Sequence, residues 1–327
     1  MTGFFTAILA LALGFFNFMF ADGTPTQLKQ YFFRPFNRAE KVLGQKTISQ
    51  DCDQQVTILP KLKDNSQDFS LSASSGLALD LKRNFYLFEK DADEQLPIAS
   101  ISKLMAVLVF LDNNPGWNKI YTIREGDKRE GNRLNFFPGE EVYVRDLFYS
   151  ALVASDNSAI ISLVNASGLS EVDFVATMNK KAEVLGMDNT NFVEPTGLSD
   201  YNVSTARDVA RLIQESMKDL DIRRAVLADK YELEILNVKP KGKKSGRVSR
   251  VIKNTDQLLR SKDLSIKIIG GKTGFLNKAG YCFAGSFQKD DQQIVTVVLG
   301  ASDQEARFNE TERLLDWIFE NYTFPDK

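Results

Sequence analysis

The 327-residue sequence contains no histidine and only two cysteines. Without histidine there is no imidazole base, which excludes Ser–His–Asp and Cys–His devices for activating a nucleophile. There is no CxxC pair and no His/Cys cluster, so no zinc and no cofactor is expected. Cys52 and Cys282 lie far apart and cannot make a disulfide framework. Cys282, within the strand-like "GYCFAGSF", reads as a small buried hydrophobe. An excess of one charge is lacking too: 41 Lys and Arg stand against 43 Asp and Glu, a formal net charge of -2. That balance argues against a nucleic-acid partner. The one basic cluster, "KPKGKKSGR" at 239–247, reads as a solvated loop or hairpin tip rather than a polyanion site.

The chain opens with "GFFTAILALALGFFNFMFA" at 3–21, an apolar run close to the minimum length that spans a bilayer. It is expected to be a signal peptide or an N-terminal membrane anchor. "MFA" before Asp22 is a poor cleavage site, which favours the anchor. No Lys or Arg precedes the run, while Lys29, Arg34, Arg38 and Lys41 follow it. That charge bias alone would hold the rest of the chain in the cytoplasm. Residues 22–66 mix Pro, Gln, Asp and Lys without a period and read as a linker or arm.

From 67 to 327 the pattern is dense. "SGLALDLKRNFYLFEKD" predicts two strands joined at "KRN". After Pro97, a helix from Ser100 to Asp112 is apolar all round and so belongs in the interior. Residues 143–167 predict two helices interrupted at "SDN". Residues 172–186 and 204–217 predict amphipathic helices, the first ending on a glycine and the second opening on a Ser/Thr cap. "IKIIGGKTG", "GYCFAGSFQ" and "QQIVTVVLGA" predict three consecutive strands, the last two joined at "KDDQ", and a helix closes the chain. Such an order predicts an α+β fold in which N- and C-terminal strands share one antiparallel sheet.

Within the buried helix, Ser100 and Lys103 are spaced i and i+3, which puts both side chains on one helix face. In the first turn, free backbone N–H groups and the dipole favour a developing anion near Ser100. A lysine buried among apolar residues loses solvation, so its neutral amine becomes accessible and can take the Ser100 proton in place of histidine. The same spacing recurs at Ser286 and Lys289, but in a strand, where the two side chains face opposite ways. Two further short motifs follow in order, "SDN" at 155–157 and "KTG" at 272–274. SxxK, SxN and KTG in that order are the signature of penicillin-binding proteins and class A β-lactamases.

The stretches "LPIASISKLMAVLVFLD", "FPGEEVYVRDLFYSALVASDNSA", "FVATMNKKAEVLGMDNTNFVEPTGL", "STARD" and "GGKTGFLNKAGYCFAG" resemble the D-alanyl-D-alanine carboxypeptidases, the low-molecular-weight penicillin-binding serine peptidases. The likeness runs from about residue 70 to the last helix. It implies a DD-peptidase/β-lactamase-like fold, with a five-stranded antiparallel sheet flanked by helices and a helical subdomain. It also implies removal of the terminal D-alanine from peptidoglycan stem peptides through an acyl-enzyme on Ser100, with β-lactams as covalent inhibitors. Lys103 is then the base, Ser155 the relay to the leaving amine, and Asn157 the amide that holds substrate and orients Lys103. Lys272 supplies positive potential. Thr273, Gly274, Phe275 and Lys253 are the expected substrate-binding positions, with the backbone N–H groups of Ser100 and Phe275 as the oxyanion hole.

The chain also departs from the family pattern. Phe275 stands where histidine is frequent, and Lys253 where some members carry arginine. "SDN" replaces the commoner SGN, and Glu194 stands where asparagine is usual. A carboxylate at 194 could position a deacylating water, as in a β-lactamase. Family members frequently carry a further C-terminal β-domain with an anchoring helix. About fifty residues follow "KTG" here, so membrane attachment is expected to fall to the N-terminal segment, on the extracytoplasmic face where stem peptides lie. The alternatives to a carboxypeptidase are an endopeptidase acting on cross-links, a β-lactamase, and a non-catalytic sensor of β-lactams or peptidoglycan.

Overall fold

A computed structural model describes residues 58–131, 134–238, 247–261 and 265–325. The apolar run at 3–21, Cys52 and residues 239–246 of the basic cluster lie outside the described residues. Strands β1 (Ser75–Asp80) and β2 (Phe85–Lys90) form the expected hairpin. Its turn is closed by the Asp80 carboxylate, which accepts the backbone N–H groups of Lys82 at 2.9 Å and Arg83 at 3.3 Å.

Helix α1 (Ser102–Asp112) follows a single tight turn at Ala99–Ile101, and its residues 102–110 are all buried. Ser100 therefore sits in that turn, just ahead of the α-helix in which the sequence placed it. Around α1 pack α2 (Val144–Val153), α3 (Asn157–Ser167), α4 (Glu171–Val184) and α5 (Ala206–Ser216). Their starts follow the capping rule: Asp156, Ser170 and Thr205 each accept a backbone N–H from the first turn. Helix α6 (Leu220–Val226) leads into a second hairpin, β3 (Lys230–Ile235) with β4 (Val248–Lys253).

Strands β5 (Lys267–Leu276), β6 (Gly280–Lys289) and β7 (Gln292–Ala301) complete the sheet, and α7 (Ala306–Asn321) closes the domain. Strand β7 pairs with β1 in the register Val297↔Leu77, giving the antiparallel order β5–β6–β7–β1–β2. Side chains alternate between the faces. Leu77, Leu79, Val295 and Val297 join the helical core around α1, while Ala78, Leu87, Phe287 and Ile294 pack with α7. Both faces are covered, and β5 is left at the sheet edge beside the turn that carries Ser100. Lys61 and Leu62, within the expected arm, pair with Thr323 and Tyr322, so packing begins a few residues before 67.

Candidate active site

Ala99, just before the expected nucleophile, has φ +47°, a left-handed conformation that costs a non-glycine residue about 1–2 kcal/mol. The tight turn lifts Ser100 out of the core while leaving Lys103 wholly buried beneath it. Lys103 Nζ lies 2.8 Å from Ser100 Oγ. It also lies 2.6 Å from Asn157 Oδ1 and 2.5 Å from the Thr196 carbonyl oxygen. The Asn157 amide is held by its own N–H donation to the Glu130 carbonyl at 2.9 Å, so its oxygen faces the lysine. Burial lowers the Lys103 pKa to about 7, against the opposing pull of the Glu194 and Asp156 carboxylates. A neutral amine has two N–H bonds and one lone pair. Two fixed carbonyl acceptors take the N–H bonds and leave the lone pair for the Ser100 hydroxyl.

"SDN" forms the break between α2 and α3, as its polar residues imply. Ser155 has φ +57°, the second non-glycine residue of the site in a left-handed conformation. Asp156 pins the break by accepting from Ser150 Oγ at 2.9 Å, Asn135 Nδ2 at 2.8 Å and the Ala159 N–H at 3.1 Å. From β5, Lys272 donates to Ser155 Oγ at 2.8 Å and to the Thr273 carbonyl at 3.0 Å. Burial pushes the Lys272 pKa well down, helped by the charges of Lys103 and Arg307 and opposed by Asp256.

Close approach of strand to turn requires glycine at 274. A Cβ there would stand 2.8 Å from the Ile98 carbonyl oxygen and 3.3 Å from the Ser100 nitrogen. Between strand and turn opens a cleft of about 470 Å³, lined by Ser100, Ser155, Lys253, Thr273, Gly274 and Phe275 among others. All nine expected positions therefore meet at one place: Lys103, Asn157 and Lys272 form its floor and the rest its walls. Phe275 is half exposed and its ring lies against Tyr281 with centroids 4.2 Å apart, which makes one lip apolar. Among the described residues no Asp or Glu lines the cleft, while Lys253, Arg260 and Arg307 do, so these present positive potential to a substrate.

Sequence reasoning missed three participants. Thr196 acts through its backbone carbonyl, which no side chain announces. Thr255 reaches Thr273 with hydroxyl oxygens 2.6 Å apart. Arg307 is buried, donates to the Gly274 carbonyl at 3.1 Å and lines the cleft. A signal for Arg307 did exist: it shares a helical stripe with buried Thr311, Leu314 and Ile318, where an arginine has to be explained. The idea that Glu194 serves a deacylating water meets a different geometry. Its two carboxylate oxygens are taken up by five donors from Thr196, Gly197, Ser199 and Asn202. The second SxxK match is structural, since Ser286 accepts from Gln293 Nε2 and Lys289 lies over the Phe319 ring. Cys282 is a buried free thiol whose pKa burial raises to about 11, far from reactive.

A serine turned toward a buried lysine, a serine–lysine pair opposite, and a sheet edge closing the cleft define an active-site-serine peptidase that works without histidine. The chain belongs to the D-alanyl-D-alanine carboxypeptidase family, whose sequence profile matches residues 61–303, and it is thereby a serine-type hydrolase of the penicillin-binding class. It is similar to the D-alanyl-D-alanine endopeptidase of Pseudomonas aeruginosa, 33% identical over 250 residues, which are 76% of this chain and 77% of that protein. It is 29% identical over 263 residues to the D-alanyl-D-alanine carboxypeptidase DacF of Bacillus subtilis, covering 79% of this chain and 64% of DacF. Among solved structures, the D-alanyl-D-alanine carboxypeptidase from Mycobacterium tuberculosis superposes with a TM-score of 0.70 at 25% identity, over 83% of this chain and 98% of that one. The Streptomyces K15 DD-transpeptidase shares the fold, with a TM-score of 0.70 at 24% identity over 78% and 99% of the two chains.

Proposed function

We propose that this protein hydrolyses the terminal D-Ala–D-Ala bond of peptidoglycan stem peptides, with Ser100 as nucleophile and Lys103 as base. The contact that carries this reading is Lys103 Nζ to Ser100 Oγ at 2.8 Å, with both N–H bonds of the neutral amine accounted for elsewhere. The amine takes the hydroxyl proton as Oγ attacks the carbonyl carbon. The resulting oxyanion is held by the backbone N–H groups of Ser100 and Phe275, an arrangement usually contributing about 3–4 kcal/mol. Ser155, held by Lys272, passes its proton to the leaving amine and takes in its place the proton that Lys103 drew from Ser100, so that Lys103 is neutral again. D-Alanine leaves, and water activated by Lys103 then hydrolyses the ester at Ser100. The substrate's terminal carboxylate sits by Thr273, Thr255 and Arg307. Its charge raises the otherwise depressed pKa of Lys272 and so favours the protonated form there. A β-lactam presents an equivalent carbonyl and carboxylate and acylates Ser100.

A second reading is cleavage of cross-links, in which the same acylation expels the side-chain-linked stem instead of free D-alanine. It is favoured by the relatives from Pseudomonas aeruginosa and Escherichia coli, at 33% and 31% identity, both named D-alanyl-D-alanine endopeptidase. The apolar segment at 3–21 would tether the enzyme to the outer face of the cytoplasmic membrane, with the residues from 22 up to the paired Lys61 as spacer, because stem peptides lie there. Protease accessibility in intact cells tests that placement: protection of the catalytic domain would refute it. The activity is tested by incubating the protein and its Ser100→Ala variant with a pentapeptide ending in D-Ala–D-Ala and with cross-linked muropeptide dimers. D-Alanine release by the first protein alone supports the carboxypeptidase. Dimer cleavage without D-alanine release would move the assignment to the endopeptidase, and turnover by Ser100→Ala would overturn both.

A further inference from the structure

Glu194 is half-buried beside the site, yet the reaction as described makes no use of it. Its carboxylate organises one short turn. Oε2 accepts the Thr196 N–H and the Thr196 hydroxyl, each at 2.6 Å. Oε1 accepts from the Gly197 N–H at 2.6 Å, the Asn202 amide at 2.9 Å and the Ser199 N–H at 3.3 Å. The turn so held touches the catalytic groups twice. The Thr196 carbonyl takes an N–H of Lys103 at 2.5 Å. Gly197, at φ +82°, lies so close to the nucleophile turn that a Cβ would stand 2.1 Å from the Ala99 carbonyl oxygen. Asn202 ties the turn to the same place, through its carbonyl to the Ile98 N–H at 3.1 Å and its amide to Ser102 Oγ at 3.3 Å.

We propose that Glu194 is a positioning residue for acylation, which aims the Lys103 amine at Ser100 through the Thr196 carbonyl and biases that amine through its own negative charge. Two separable effects follow. As a five-fold acceptor, Glu194 fixes where the Thr196 oxygen stands and so where the lone pair of Lys103 points. As a charge, it raises the pKa of Lys103 against the lowering by burial. The other charged groups facing Lys103 are Asp156 at the start of α3, which acts in the same sense, and Lys272 on β5, whose charge opposes a second proton. Removing the Glu194 charge leaves burial less opposed, so Lys103 loses its proton at lower pH.

The test is the pH profile of Ser100 acylation by a fluorescent penicillin, on the full chain and normalised to the sites that finally label. It rests on Lys103 being the base, and Lys103→Ala checks that separately: acylation at the wild-type rate would sink that reading, and this proposal with it. Glu194→Gln keeps the size, but its NH₂ group faces at least two of the five donors. Its acylation plateau should fall by about tenfold or more, and its acidic limb should move to lower pH by about one pH unit. Glu194→Asp keeps the charge but is one methylene too short to meet both sets of donors. Its plateau should fall while its acidic limb stays put. A merely structural brace would lower the number of sites that label without moving the limb, and that outcome overturns the proposal. A wild-type plateau and limb in Glu194→Gln would do the same.

Discussion

Replacing Gly197 by alanine perturbs the site without touching any catalytic side chain. The glycine has φ +82°, and a Cβ built on it stands 2.1 Å from the Ala99 carbonyl oxygen, 2.5 Å from the Ala99 carbonyl carbon and 2.9 Å from the Ser100 nitrogen. Real Cβ atoms do not approach closer than 3.0 Å, so the two turns must part by at least 3.0 − 2.1 = 0.9 Å. All three obstructing atoms are backbone, and a side chain cannot swing aside to relieve the clash. One turn carries the Thr196 oxygen and the other carries Ser100, so the separation falls directly on the geometry around Lys103. A misplacement of about 1 Å can cost on the order of 100-fold in rate, and acylation of Ser100 by a fluorescent penicillin should fall by about that much.

Gly186 provides the control. It has φ +69°, at the end of α4, and a Cβ there would meet nothing within 4 Å. Both alanine variants carry the left-handed penalty of about 1–2 kcal/mol and should lose a few degrees of thermal midpoint. Only Gly197→Ala should lose acylation per folded molecule. If Gly197→Ala labels within about threefold of wild type, or Gly186→Ala slows to the same degree, the assignment of the 194–202 turn to the catalytic geometry is wrong.

Other consequences are open to measurement. With the Lys103 pKa at about 7, the neutral amine makes up about one-eleventh of the protein at pH 6 and ten-elevenths at pH 8. Acylation per site should therefore rise about tenfold across that interval, and a flat profile would remove Lys103 as the base. The same depressed pKa affects stability. Between about 7 and 10.5 the folded state binds fewer protons at Lys103 than the unfolded chain, so its contribution makes stability rise with pH there. Urea titrations at pH 7 and pH 9 should show wild type gaining about 2 kcal/mol relative to Lys103→Met, and equal pH responses would contradict the burial argument. Ser155→Ala should slow D-alanine release about 10²–10⁴-fold if Ser155 is the proton relay. A rate near wild type would assign that task to another group.

Much of this architecture was legible because its elements are long and periodic. The strands of the sheet and the wholly apolar α1 declare themselves by pattern, and the break at "SDN" does so by three polar residues between two apolar runs. The elements that escaped are short or non-periodic. Helix α6 has seven residues and the strand at Ile120–Thr122 has three, too few to exhibit a period. Of the site, the side chains within the three motifs were legible, while Thr255, Arg307 and the backbone contributions were not. Ser100, Lys103, Asn157 and Lys272 could be placed by spacing and order, whereas the Thr196 carbonyl has no signature of its own. Glu194 was conspicuous, but a carboxylate near a hydrolytic serine suggests water activation. Only the five donors around it redirect that reading toward positioning.

The left-handed conformations at Ala99 and Ser155 were equally invisible, and they connect to the missing histidine. A lysine can replace imidazole only where its amine is neutral near pH 7, which here requires complete burial. A wholly buried base cannot reach a substrate unless the nucleophile is bent outward from the same helix. The tight turn at Ala99–Ile101, entered through a residue at φ +47°, provides that bend within three residues of Lys103. The partner serine sits in the same kind of strained position, and Lys272 below it is buried as well. Strain of about 1–3 kcal/mol at each of Ala99 and Ser155 persists only where the surroundings over-determine it. Here the surroundings are the packed α1, the Asp156 network and the Glu194 turn. The burial that makes Lys103 a base and the rigidity that holds Ala99 and Ser155 in strained conformations beside one cleft are thus consequences of the same decision, to put the catalytic helix in the middle of the core.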